Sequence, residues 1–346
     1  MLQIGIVGVS GYTGVELARL LAGHPEVKIT VATSRRYEGK HLAEVFPNLK
    51  GCIDITCTNP PLDALADSAD FFFTAVPHRT AMDIAPQLLA AGKKVIDLSA
   101  DFRLKDVGVY EKWYQKHTSS HLLDEAVYGI PELYRDNIRH AGLTANPGCY
   151  PTSVLLGLAP LLREKIIAPE SIIVDAKSGT SGAGRNAGVA TLFCEVADGF
   201  RAYKVGGMHR HIPEMEQELS LLAGGPVCIS FTPHLLPVSR GILSTIYTTL
   251  KRETADAFLQ ELYREAYGNE YFVRLCPPGT PPATQYVRGS NFCDIGIFPD
   301  KRTGRLIIIS AIDNIGKGAA GQAVQNMNLM CGFDEAEGLR GAPFFP

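Results

Sequence analysis

The sequence predicts an α/β protein of two domains, one on a parallel sheet and one on a mixed, largely antiparallel sheet. Three observations carry that expectation. The chain has 346 residues, more than one compact domain of about 100 to 200 residues usually holds. Its first half alternates short apolar runs with helical patterns: Leu2 to Val9, Thr13 to Ala22, Val27 to Thr33, Phe71 to Val76, Ala81 to Ala91 and Lys94 to Leu98. That is the βαβ rhythm of a parallel sheet. After Asn146 longer strands follow at Ser171 to Lys177, Val227 to Thr232, Gly241 to Leu250, Asn291 to Phe298 and Arg305 to Ile312, the texture of a mixed sheet. The boundary falls near Asn146-Pro147-Gly148, where proline and glycine interrupt any continuing element.

Composition narrows the class of partner. With 46% hydrophobic and 20% charged residues, the chain reads as globular rather than disordered or fibrous. Lys plus Arg number 33 against 36 Asp plus Glu, with no long run of like charge, so neither nucleic acid nor an anionic membrane is expected as a partner. The longest apolar runs, such as Val154 to Leu162, are far shorter than the roughly 20 residues of a membrane span. The N-terminus lacks a basic n-region and cleavage site and already reads as a strand, and the eight cysteines are scattered with no metal-binding spacing. Reduced thiols in a cytoplasm, and no structural metal, are the expectation.

The first chemical motif is a glycine turn between a strand and a helix, Gly8-Val9-Ser10-Gly11-Tyr12-Thr13-Gly14. Glycines let the backbone approach a pyrophosphate whose charge then rests on the free N–H groups of the helix N-terminus. This marks the first domain as a Rossmann-type dinucleotide-binding domain, with Gly8, Ser10, Gly11, Tyr12, Thr13 and Gly14 as cofactor contacts. The second strand ends in Thr33-Ser34-Arg35-Arg36, where NAD-binding versions of the fold place an acidic residue. Hydroxyls and guanidinium groups there suit a 2′-phosphate, so NADP is preferred through Ser34, Arg35 and Arg36. The alternative is a solvated turn.

Cys149 lies in Asn146-Pro147-Gly148-Cys149-Tyr150-Pro151-Thr152, ahead of an apolar helix expected to begin near Ser153. A thiol at a helix N-terminus is drawn toward thiolate, and the same donors can hold an oxyanion. A polar cluster, His209-Arg210-His211-Ile212-Pro213-Glu214, precedes a helical segment from Met215 to Leu222. One of its histidines can serve as acid or base, with Glu214 to orient it; the residues alone leave His209 and His211 both open. A third feature, Lys177-Ser178-Gly179-Thr180-Ser181-Gly182-Ala183-Gly184-Arg185, reads as a strand entering a second anion-facing nest, with Ser178, Gly179, Gly182, Ala183 and Gly184 near the cofactor. A glycine turn at Asp313-Asn314-Ile315-Gly316-Lys317-Gly318 adds Asn314, Lys317 and Gly318, and a helical pattern through Met327 closes the chain.

Together with Ser99-Ala100-Asp101-Phe102-Arg103, Tyr128-Gly129-Ile130-Pro131-Glu132 and Lys317-Gly318-Ala319-Ala320, these motifs make the whole chain resemble the N-acetyl-gamma-glutamyl-phosphate reductases of arginine biosynthesis, type 1, relatives of aspartate-semialdehyde dehydrogenase. Some lysine-pathway relatives share the motifs, which leaves the acyl chain less constrained than the chemistry. The resemblance implies an NADP-binding domain of residues 1–148 and 313–346, a catalytic and oligomerisation domain of residues 149–312, and a homotetramer. It implies attack of Cys149 on an acyl phosphate, reduction of the thioester by NADPH, and His209 as acid/base supported by Glu214. Candidates for holding the substrate are Arg103, Asn146, Arg185 and Arg210, unranked among themselves.

Overall fold

The computed structural model describes residues 1 to 345. The chain divides into two compact units, Met1–Gly148 with Ala319–Gly341, and Cys149–Gly318 with a short segment from Ala342.

The first unit holds a seven-stranded sheet of β1 (Leu2–Val7), β2 (Val27–Thr33), β3 (Cys57–Thr58), β4 (Phe71–Thr74), β5 (Lys94–Asp97), β6 (Val127–Tyr128) and β7 (Leu143–Ala145), in the order β3-β2-β1-β4-β5-β7-β6. Every neighbouring pair is parallel. Strands such as Phe71–Thr74 are buried on both faces, because helices cover each side; this is why they read as continuous apolar runs. Helix Tyr12–Ala22 buries Leu17, Ala18 and Leu21, and helix Ala81–Ala90 buries Ala81, Met82, Ala85 and Leu88. The C-terminal helix Gly321–Cys331 is buried along nearly its whole length, so its polar side chains need internal partners. Several find them: Asn326 Nδ2 donates to Gly129 O at 2.9 Å, and Asn328 Oδ1 pairs with His24 Nε2 at 2.9 Å.

The second unit holds β8 (Ile173–Ser178), β9 (Arg201–Ala202), β10 (Ser230–Leu235), β11 (Ile242–Thr249), β12 (Val273–Leu275), β13 (Cys293–Asp300) and β14 (Arg305–Ile312), in the order β12-β13-β14-β11-β8-β10-β9. Four neighbouring pairs are antiparallel and two are parallel, the mixed sheet expected. Helix Cys149–Arg163 packs on β11 and β14 and is buried over residues 150 to 162. Pro160 removes the N–H that would reach the carbonyl of Leu156. Tyr267 replaces it, its hydroxyl donating to Leu156 O at 2.6 Å, while Tyr263 donates to Gly157 O at 2.5 Å. A buried carbonyl thus keeps a partner.

The return of the chain to the first unit comes later than the 313 boundary. Asp313 is fully buried and ties its own turn to the second unit: Arg240 Nε lies 2.9 Å from Oδ2, and Oδ1 accepts from Ile315 N at 2.8 Å and Gly316 N at 2.9 Å. The chain then passes through a π-helical turn, Gly316–Ala320, before the terminal helix.

Candidate functional site

In the first unit the glycine turn connects β1 to helix Tyr12–Ala22. Gly8 has φ +91°, and a Cβ there would stand 2.5 Å from Ala75 O, so only glycine fits. A Cβ at Gly14 would meet Gly8 O and, at 2.7 Å, the Cα of Val9. No side chain caps the helix, and its first turn holds no acidic residue. Neither a capping side chain nor an acidic residue of its first turn thus competes with an anion for its leading N–H groups. Ser10 and Ser34 join through their hydroxyls at 3.0 Å, bringing the glycine turn and the end of β2 together. Arg35 and Arg36 are exposed. Tyr12 is exposed too, and Thr13 half-buried.

In the second unit Cys149 is itself the first residue of its helix, four residues before the start expected at Ser153. It is half-buried. A Cβ on Gly318 would lie 2.8 Å from Cys149 Cβ and 3.2 Å from its Cα, so the bare backbone of Gly318 lets the cysteine sit where it does. The next residue, Tyr150, is buried, and its hydroxyl pairs with that of Tyr203 at 3.0 Å. Burial pushes the Tyr150 phenol far up and that of Tyr203 to about 12, and the nearby Cys149 adds to both. Both phenols stay protonated and able to donate. His209 packs edge-on against Tyr150, Tyr203 and Phe231 at 5.5, 5.6 and 5.3 Å between centroids. Its Nδ1 accepts from the backbone N–H of His211 at 3.1 Å, which assigns the ring proton to Nε2. Burial first, then the positive charges of Lys204 and Arg210, push its pKa down to about 3. His209 is a neutral imidazole at neutral pH.

The structure thus brings Cys149, Tyr150, Tyr203, His209 and Gly318 into one neighbourhood. Other expectations need correction. The nest at 178–184 has no run of available amides: Gly179, Thr180 and Ser181 donate to the carbonyls of Gly241, Val238 and Ser239 at 2.9 to 3.1 Å, and Gly182 and Gly184 donate within the loop. Main-chain bonds to the 238–241 segment occupy these donors; Ser178 is buried and its hydroxyl turned to Gly179 O, while Ala183 and Gly184 are exposed. Lys317 is fully buried with its Nζ 5.7 Å from the Phe272 ring centroid, so its ammonium presents no surface to a cofactor. Asn314 is engaged inside the second unit, accepting from Gly241 N at 2.7 Å and donating to Ser181 Oγ at 2.9 Å. Asn146 turns its amide inward to Ala319 O and Asn326 at 3.1 Å each, and buried Arg103 braces Asn146 O at 2.7 Å and Leu98 O at 2.9 Å. Arg185 and Arg210 are half-buried. Glu214 is buried in the first turn of helix Ile212–Ala223, and the Nδ1 of His209 is held by the backbone of His211.

Tyr150 and Tyr203 were missed as site residues. The first was legible as the neighbour of the cysteine, the second only as an aromatic residue at the head of the glycine-rich turn before His209.

A glycine turn for a dinucleotide joined in one chain to a helix-terminal cysteine and a neutral histidine defines a class of dehydrogenase. The model of the semialdehyde dehydrogenase NAD binding domain matches residues 3–141, and that of the semialdehyde dehydrogenase dimerisation domain matches residues 149–314. A reductase of Desulfotalea psychrophila named N-acetyl-gamma-glutamyl-phosphate reductase is 63% identical over 346 residues, all of both chains. One of the same name from Symbiobacterium thermophilum is 54% identical, covering 100% of this chain and 99% of that one. The chain belongs to the N-acetyl-gamma-glutamyl-phosphate reductase family and is an oxidoreductase of amino-acid biosynthesis. In fold it is similar to aspartate semialdehyde dehydrogenase II of Vibrio cholerae, with TM-score 0.73, 18% identity and coverage of 96% and 98% of the two chains. An aspartate semialdehyde dehydrogenase of Candida albicans, solved with NADP, gives TM-score 0.69 at 16% identity over 96% and 98%.

Proposed function

We propose that the protein reduces N-acetyl-L-glutamyl 5-phosphate to N-acetyl-L-glutamate 5-semialdehyde, releasing phosphate, with NADPH as reductant, in arginine biosynthesis. The observation that carries this reading is Cys149 at the first turn of a buried helix, in one neighbourhood with a histidine whose tautomer the backbone fixes. The Cys149 thiolate adds to the acyl carbon, the carbon–oxygen bond to phosphate breaks, and a thioester remains. NADPH, when bound, would supply the hydride that reduces this electrophilic thioester on Cys149 to a thiohemiacetal. The thiohemiacetal oxygen then re-forms a carbonyl, the sulfur leaves as thiolate, and the aldehyde is released.

His209 acts through the proton on Nε2, donated as a hydrogen bond to the substrate oxygen on which negative charge gathers. An anionic acyl phosphate beside Lys204 and Arg210 offsets two of the three causes that hold its pKa near 3, which moves the imidazole toward a pKa useful for proton transfer. With Arg103 buried against main-chain carbonyls, the half-buried Arg185 and Arg210 remain the guanidinium candidates for the phosphate.

The dinucleotide fits the first unit: the uncapped helix of the Gly8 turn takes the pyrophosphate, and Ser34, Arg35 and Arg36 favour NADP over NAD. In the second unit Val189, Leu192, Phe193, Phe200 and Met208 are exposed apolar side chains within one stretch of chain. Exposed apolar side chains of that kind support a homo-oligomer, by family a tetramer in the cytoplasm, in which a second copy covers them. The test of the reaction is phosphate-dependent reduction of NADP with N-acetylglutamate semialdehyde. Turnover without phosphate, or faster turnover of aspartate semialdehyde, would overturn the substrate assignment.

A further inference from the structure

The strand order of the first sheet reverses between β1 and β4. In a doubly wound sheet the dinucleotide lies outside the carboxyl ends of the strands at that reversal. One side is the Gly8 turn after β1; the other is the segment after β4, Ala75 to Thr80, which runs into helix Ala81–Ala90. The two sides touch: Ala75 N donates to Val7 O at 2.8 Å, and a Cβ on Gly8 would reach Ala75 O at 2.5 Å and Val76 Cγ1 at 3.3 Å.

The segment after β4 is held in a costly conformation. Arg79 has φ +79°, a region that L side chains with a Cβ rarely adopt and that persists only where surrounding contacts impose it. Those contacts come from Asp101, which is fully buried. Its Oδ1 and Oδ2 accept from Arg79 N at 2.8 and 3.1 Å, and Oδ2 accepts from Met82 N at 3.2 Å. Fully buried Tyr110 closes the set, its hydroxyl donating to Oδ1 at 2.8 Å. The same stretch reaches the segment a second time, where Ala100 N donates to His78 Nδ1 at 3.0 Å.

We propose that Asp101 is a positioning residue for the nicotinamide dinucleotide: its buried carboxylate fixes the 78–82 segment as the wall of the crevice beside the Gly8 turn. The inference rests on the placement of the dinucleotide proposed above. A carboxylate is required because three donors converge on it, two of them main-chain N–H groups. Asp101→Asn keeps the shape but turns an NH2 group toward one or more of these donors.

The experiment is titration of NADPH into wild type, Gly8→Ala, Asp101→Asn and Tyr110→Phe, with melting temperature and steady-state kinetics on each. Asp101→Asn is expected to raise Kd and KM for NADPH by about tenfold, the scale of one lost charge-assisted hydrogen bond, with kcat at saturating NADPH falling far less. Tyr110→Phe removes a donor to Asp101 that is not part of the wall; it is expected to lower the melting temperature while changing Kd by no more than about twofold. If Asp101→Asn does not accumulate, the double variant with Arg79→Gly supplies a chain in which φ +79° needs no holding, and the same loss of affinity is expected in it. Unchanged NADPH affinity in the Asp101 variants overturns the inference, as does a rise in Kd that merely follows the loss of stability across Asp101→Asn and Tyr110→Phe. Loss of NADPH binding in Gly8→Ala but not in Asp101→Asn sinks this inference alone. Failure of wild type to bind NADPH sinks the dinucleotide placement and this inference together.

Discussion

In the first unit the groups offered to a ligand are main-chain: the N–H groups of an uncapped helix and a turn at φ +91° that only glycine adopts. In the second unit they are side chains, a thiol, two phenols and an imidazole drawn from residues 149, 150, 203 and 209. Burial nevertheless acts on the two units in one way. In the first, it pushes Asp97 up to about 6, aided by the nearby Asp101 charge and opposed by hydrogen bonds from Thr74 and Ser99. In the second, it pushes His209 down to about 3. Each buried group is driven toward its neutral form. The main-chain site is therefore sensitive to shape and the side-chain site to charge, and substitutions should separate them.

The largest effects come from a reciprocal pair. Cys149→Ser is expected to abolish turnover while leaving NADPH binding intact, because a hydroxyl at neutral pH is a far weaker nucleophile than a thiolate. Gly8→Ala places a methyl group 2.5 Å from Ala75 O at a positive φ, so it is expected to lose NADPH binding while Cys149 still reacts with iodoacetamide at the wild-type rate. Titration of NADPH and alkylation kinetics on both variants read this directly. If either substitution disabled both functions to the same degree, the separation of backbone and side-chain sites would be wrong.

The same difference explains what could be read from the sequence. The glycine turn is local: strand, glycines and helix adjoin in the chain, so Gly8, Gly11 and Gly14 announce their geometry, and β2 and β14 begin and end as their patterns say. Cys149 and His209 were legible as chemistry, but their common neighbourhood rests on Tyr150, which follows the cysteine and packs with Phe231 against His209. The segment at 178–184 was legible only in part, for the converse reason. Its glycines and hydroxyls gave the right local signal, but the donors were claimed by the 238–241 segment, a partner distant in sequence. The burial of Lys317 was likewise not legible, because only the tertiary fold encloses it over Phe272.

His209 is the next test. His209→Ala is expected to lower kcat/KM by about a hundredfold, the usual contribution of a proton-transfer group. His211→Ala should do much less, since the N–H that holds Nδ1 belongs to the backbone and survives the substitution. Equal losses would remove the assignment. Stability should also respond to pH. An unfolded histidine titrates near 6.5 and the folded His209 near 3, so between these values the unfolded chain binds a proton that the folded chain does not. The contribution is intact above about 6.5 and is lost as pH falls below it. His209→Ala removes this acid-side loss, so its stability relative to wild type should improve between pH 7 and pH 5 in urea denaturation. A difference that did not change with pH would show that burial has not displaced the titration.

The smallest effect concerns the choice between the two dinucleotides, and here the main-chain unit depends on charge after all. Ser34 is buried and fixed, its hydroxyl bonded to Ser10 at 3.0 Å and receiving Tyr37 N at 3.3 Å. Arg35 and Arg36 are exposed, with the Arg36 guanidinium carbon 5.3 Å from the Tyr37 ring centroid. An exposed guanidinium gains little from a partner because water screens it, but a phosphate offers oxygens that match its paired donors. Replacing both arginines with glutamine is therefore expected to weaken NADPH by about tenfold and to leave NADH almost unchanged, since only NADPH carries the 2′-phosphate. Because the contact is solvent-exposed, the wild-type preference should itself shrink as salt is raised from low to near-molar concentration, whereas any part carried by the buried Ser34 hydroxyl should persist. Dissociation constants for both dinucleotides at several salt concentrations separate the two contributions. A double variant that kept the full, salt-sensitive preference would place the 2′-phosphate against other cations.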